Sequence, residues 1–158
     1  CVFTLTAQEQ KETFQMLLQE IVKDELSYPV ITSINEKLKD IAAEYANEPD
    51  LPIIDDIHVR DILLDSGVSQ KCAEAMQQAY KEATQDKPIA VNNLIESKTT
   101  ITLDGVTLQI AGDAESKVRT QNNSGRRYLL IDLDSPEIQI NGLTARVAEQ
   151  KGDDDNAG

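Results

Sequence analysis

The 158-residue chain is 40% hydrophobic and 27% charged, a globular balance that supports one core and excludes a disordered protein. Its 28 acidic against 15 basic residues leave a net charge of -13, which opposes binding to nucleic acid or anionic lipid, and no apolar run approaches the roughly 20 residues of a membrane span. The two cysteines, Cys1 and Cys72, are too few for a disulfide framework, so a reduced cytoplasmic location is expected, with neither nucleic acid nor membrane as partner.

The chain opens on Cys rather than Met and has no signal-like apolar stretch, so it reads as a piece of a longer protein. Thr6-Ala7-Gln8-Glu9 has capping-box spacing and predicts a helix start. Phe14, Leu17, Leu18, Ile21 and Val22 then form one apolar stripe, carrying that helix to about Leu26. Tyr28-Pro29 interrupts it, and a second helix starts near Pro29 with the stripe Val30, Ile34, Leu38, Ile41 and Tyr45. These two helices are expected to pack as a pair. Asn47 to Pro52 holds two prolines and reads as the internal linker. Val59, Ile62 and Leu63 mark a short third helix ending at Gly67, and Ser69 caps a fourth. The fourth helix has a small buried face of Cys72, Ala73, Met76, Ala79, Tyr80 and Ala83, and Asp86-Lys87-Pro88 stops it.

From Thr99 the hydrophobic period changes to two and Thr, Val, Ile and Leu dominate, which predicts strands. Ile101 to Leu103 and Val106 to Ile110 suit a hairpin with a type I′ turn at Asp104-Gly105. Val118 to Thr120 and Arg127 to Leu133 flank Asn122-Asn123-Ser124-Gly125, which reads as a longer hairpin loop. Ile138 to Ile140 and Leu143 to Val147, around Asn141-Gly142, give a last hairpin or a kinked strand. The expectation is an α+β fold. About four helices form a helical subdomain over 1–97, a small, mainly antiparallel β-sheet spans 98–148, and a disordered acidic tail occupies 149–158.

Four groups invite a chemical reading. His58, the only histidine, sits beside Asp55, Asp56 and Asp61, but one imidazole makes no common zinc site, and carboxylates ahead of a helix cap its amides. Asp132, Asp134 and Glu137 offer oxygen donors for a hard cation, yet they fall where a half-buried strand needs polar residues. Cys72 lies on an apolar helical face with no histidine placed to activate it. Arg119, Arg126 and Arg127 form the one basic concentration, and guanidinium groups around a hairpin end would bind an anion or an acidic partner. Charged residues also protect edge strands from mispairing. No phosphate loop, paired-cysteine motif or nucleophile elbow occurs. No catalytic residue, metal or cofactor is therefore assigned.

Ala7 to Phe14, Ser66-Gly67-Val68-Ser69 followed by Tyr80, Asn93-Leu94-Ile95, Asp104 to Ile110, Gly125 to Ile131 and Ile138 to Gly142 occur in an order and spacing that carry a resemblance. The chain resembles the carboxyl-terminal half of the uncharacterised Firmicutes domain-of-unknown-function family 4317, over most of its length to about Arg146. The resemblance implies a bacterial cytoplasmic protein whose amino-terminal half is missing here, and it implies no activity. Members usually carry an acidic residue and an Asp-Gly turn where this chain has Gln121 to Gly125, a departure that favours a tolerant surface loop there.

The leading expectation is a non-catalytic binding or scaffolding module, its partner another protein or the missing amino-terminal half. The alternative is part of an enzyme whose catalytic residues lie in that missing half, with an anion site at the arginine-flanked hairpin. A third reading, an acidic mimic of nucleic acid, is disfavoured because lysines interrupt the carboxylates.

Overall fold

The computed structural model describes residues 5–147, so the acidic tail over 149–158 lies outside the described residues. Four α-helices precede a series of antiparallel hairpins, an α+β architecture as expected. The chain divides into two compact units, Cys1–Glu115 and Ser116–Gly158.

In the first unit, α1 (Ala7–Leu17) starts at a complete capping box: Thr6 Oγ1 accepts from the Glu9 amide and Glu9 accepts from the Thr6 amide. The helix does not continue regularly to Leu26. It widens into a π turn over Leu18–Val22 and tightens into a 3₁₀ turn over Lys23–Glu25, with Lys23 at a φ of 49°. The apolar stripe survives this change, burying Phe14, Leu17 and Val22, so periodicity alone did not reveal it. Ser27 caps α2 (Tyr28–Glu44), with Pro29 in the first turn. Val30, Ile34 and Leu38 are buried as the spacing predicts, but Tyr45 has left the helix and is exposed.

Asp55 caps α3 (Asp56–Asp65), Gly67 takes a φ of 98° beyond its end, and Ser69 caps α4 (Gln70–Thr84). The expected pairing of the first two helices is corrected: α1 packs mainly on α4, while α2 packs on α3 and on the 3₁₀ turn Val91–Asn93. The irregular turns between α1 and α2 redirect the chain, and the small residues of α4 let neighbours approach. Two strands that the sequence did not reveal, β1 (Ile53–Ile54) and β2 (Ile89–Ala90), pair antiparallel. They bury Ile54 and Ile89, and Tyr80 donates to the Ile54 carbonyl at 2.7 Å. The core is continuous from Phe14 to Leu94.

The unit also includes the hairpin of β3 (Lys98–Leu103) and β4 (Val106–Ala111). Its turn is not type I′, because only Gly105 has a positive φ (78°) and Asp104 does not. Ile101, Leu103, Val106, Leu108 and Ile110 share one face, and Lys98, Thr100, Thr102, Thr107 and Gln109 the other. Glu115, itself buried, accepts from the Thr99 hydroxyl at 2.9 Å, and its carbonyl accepts from Tyr28 at 2.7 Å. At Gly112 a Cβ would stand 2.7 Å from the Ser97 carbonyl oxygen. These contacts carry the compact unit past the helix-to-strand change and on to Glu115.

The second unit contains β5 (Val118–Asn123) paired with β6 (Arg126–Ile131), and β7 (Glu137–Ile140) paired with β8 (Leu143–Arg146). The longer loop expected at Asn122 to Gly125 is a two-residue turn. Ser124 and Gly125 both have positive φ, 54° and 86°, and Asn122 and Asn123 remain in the ladder opposite Arg127 and Arg126. Turn propensity of the asparagines yields here to cross-strand pairing. Asn141-Gly142 makes the same kind of turn, with φ of 53° and 81°, so the last element is a hairpin. The strand expected to reach Leu133 stops at Ile131.

Candidate functional site

A cleft in the first unit lies beside β3. It has a volume of about 350 Å³ and is lined by Gln15 of α1, Ile31, Thr32 and Asn35 of α2, Glu96, and Lys98, Thr99 and Thr100 of β3. Thr99 and Thr100 point to opposite faces of the ribbon, and both line the cleft. The cleft therefore runs along the strand's edge rather than over one face.

Among the described residues β3 pairs only with β4, so this edge is open. The two-residue turn makes Leu103 and Val106 the closing hydrogen-bonded pair. In an antiparallel ladder the bonded positions then alternate, which turns the backbone N–H and C=O groups of Lys98, Thr100 and Thr102 toward the open edge.

The wall opposite is held rigidly. Asn35 is buried, and its amide closes a two-bond ring with the Glu96 backbone, donating from Nδ2 to the carbonyl at 2.9 Å and accepting from the amide N–H at 2.8 Å. This satisfies the chain just before β3 and fixes its distance from α2. The Glu96 carboxylate is engaged by Lys11 at 2.8 Å and by Gln15 at 3.3 Å. Ile31 is the one large apolar side chain on the lining, 48% exposed.

The residues singled out from sequence fall elsewhere. His58 Nδ1 lies 2.8 Å from Asp55 Oδ1, and Asp55 accepts from the His58 amide at 2.9 Å, a capping box at the start of α3. Asp56 accepts from Gln77, a hydrogen bond that holds its carboxyl below the ordinary range, and Asp61 pairs with Arg60. Among the described residues no three His, Cys, Asp or Glu side chains are grouped to hold a metal ion. Cys72 donates its thiol to Glu25 at 2.8 Å. Glu25 also accepts from the Ser69 amide and hydroxyl, at 2.7 and 2.8 Å, and these bonds hold its carboxyl low. Glu25 thereby closes the start of α4 from outside that helix.

Within the second unit, Arg119 pairs with Asp132 and Lys117 with Asp134, both at 2.6 Å. The register puts Arg119 and Arg126 on one face of the β5–β6 ribbon and Arg127 on the other, with Arg119 four residues from the position opposite Arg126. The three arginines are not brought to one point.

The cleft is not evident from the sequence because its residues come from three separate stretches of chain and form no local motif. The available signals were the alternation of Thr100 and Thr102 with apolar residues and a polar Asn35 beside the buried Ile34. No helix among the described residues is long and apolar enough to cross a membrane. No curated protein and no solved structure matches the chain. The model of one family, described as a domain of unknown function (DUF4317), matches residues 1–143, and the chain belongs to that family.

Proposed function

We propose that the chain is a non-catalytic binding module that accepts an extended segment of a partner protein as an added strand on β3. The observation that carries this reading is the open β3 edge facing a formed cleft whose far wall is α2. Strand addition needs a row of unpaired backbone groups with a cavity beside them; the β3 edge, unpaired among the described residues, and the cleft of about 350 Å³ along Lys98 to Thr100 support this reading. The lining offers hydroxyl, amide and charged groups able to pair with the backbone and side chains of an extended segment.

The alternative is part of an enzyme, with an anion site at Arg119, Arg126 and Arg127 and its catalytic residues in a missing amino-terminal half. It has less support, since Arg119 is held by Asp132 and Arg127 faces away from the other two. The resemblance to a Firmicutes family favours a bacterial, cytoplasmic protein of which this chain is the carboxyl-terminal half, and that missing half is itself a candidate source of the added strand.

The test is selection of binders from a displayed library of random linear peptides, followed by comparison of the wild type with Thr100→Pro. Proline at Thr100 removes an N–H that points away from β4, so the hairpin ladder is left intact. The expected result is peptides that bind wild type and lose binding to Thr100→Pro. Selected peptides indifferent to that substitution would place recognition elsewhere.

A further inference from the structure

We infer that the segment received by the β3 edge is cationic, an extended stretch bearing lysine or arginine rather than one anchored by bulky apolar side chains. The inference rests on the reading of β3 as a strand acceptor and adds the chemistry of the occupant.

Two observations carry it. Residues 1–115 hold 21 acidic and nine basic side chains, a net charge of -12 on the unit that contains the cleft. A field of that size raises the local concentration of cationic segments and opposes acidic ones, most strongly at low ionic strength. Ile31 is the one large apolar side chain on the lining, the rest being Thr, Asn, Gln, Glu and Lys, so there is no deep pocket for a bulky apolar anchor. The backbone ladder and charge are therefore the terms that select among extended segments.

The charges on the lining itself are one anion and one cation. Glu96 is paired with Lys11, and Lys98 is exposed on the ribbon face it shares with Thr100 and Thr102, where water screens it. With Glu96 neutralised by Lys11, Lys98 is the one lining charge left over, a single screened cation against the net charge of -12 of the unit around it. A second copy of the chain is a poor occupant on the same grounds, since two units of -12 repel, and each edge already has α2 beside it.

The experiment uses three capped octapeptides, alternating Thr-Lys, Thr-Gln and Thr-Glu, titrated into the isotope-labelled chain. Affinity and exchange protection of the Lys98, Thr100 and Thr102 amides are read at low salt and in about 0.5 M NaCl. Thr100→Pro, checked by circular dichroism and thermal melting, serves as the edge-blocked variant. The Lys peptide should bind about tenfold or more tighter than the Gln peptide at low salt. It should protect those amides, lose most of that advantage in high salt, and bind Thr100→Pro about tenfold more weakly. Equal binding of the Lys and Gln peptides with protection retained would overturn the cationic occupant and leave strand addition standing. Preference for the Glu peptide would also overturn it. Failure of all three to protect the edge, or Lys-peptide binding unaffected by Thr100→Pro, would overturn both readings.

Discussion

The helical unit and the hairpin unit draw on the same aliphatic residues and use them in opposite ways. In the first, side chains from four helices and two short strands meet in one core, where Leu38, Ile54, Leu63 and Met76 are almost wholly withdrawn from solvent. In the described part of the second, Val118 is buried while Ile131, Leu133, Ile140 and Leu143 stand exposed. Both hairpins there have good register and turns with the right chirality, yet a two-stranded ribbon cannot cover its own apolar face. Register makes a hairpin, and a second layer makes it stable. The hairpin β3–β4 is intermediate, anchored at its base by Glu115 and Gly112 and exposed at its tip, where Leu103 and Val106 flank the turn.

The sharpest way to break this contrast is matched truncation. Leu38→Ala should cost about 2–5 kcal/mol, because it opens a cavity in a packed core. Leu143→Ala, at a side chain 73% exposed, should stay within about 0.5 kcal/mol by the same denaturant titration. Comparable losses would mean that the hairpins are buried in the protein as it exists in solution.

Asn35→Ala ranks next, since it removes both bonds to the Glu96 backbone and leaves a part-buried N–H and carbonyl unsatisfied. A loss of roughly 1–3 kcal/mol is expected in chemical denaturation, together with shifted resonances along β3.

Tyr80→Phe deletes the hydrogen bond to Ile54 and should cost about 1 kcal/mol at neutral pH. Burial, with Asp55 and Asp56 nearby, raises the Tyr80 phenol above its ordinary value of 10.0. Its contribution is therefore complete below the unfolded value and is lost as pH rises toward the folded one. Thermal melts of wild type and Tyr80→Phe should converge above about pH 10.

The smallest effect is expected at Glu25, whose carboxyl is held low by Cys72 and then by Ser69. Its stabilisation is present above the ordinary carboxylate value of 4.5 and is lost as pH falls through the lowered one. Glu25→Gln should thus melt slightly earlier than wild type at pH 7 and together with it in acid. A constant gap across that range would assign the effect to packing instead of charge.

The helices were legible because their ends are written in local chemistry: Thr6, Ser69 and Gly67 do what their residue types favour, and Pro29 sits in a first turn. Strand content was legible from the change of period. Three features were not. The π turn at Leu18–Val22 keeps the same residues facing inward as a regular helix would, so the pattern is silent about it. The β1–β2 pair is two residues long on each side and has no period. The cleft depends on a long-range relation, Asn35 to Glu96, which no local spacing encodes. The arginines drew notice because they are charged and clustered in sequence, whereas alternation along a strand distributes them over two faces.

Strand addition requires the β3 edge to be open, and residue-resolved amide hydrogen exchange on the unliganded chain measures this directly. Exchange should alternate along the strand: slow at Thr99, Ile101 and Leu103, whose amides face β4, and fast at Lys98, Thr100 and Thr102, whose amides face the open edge. Uniformly slow exchange from Lys98 to Leu103 would show the edge already paired and contradict the proposal that it receives a strand.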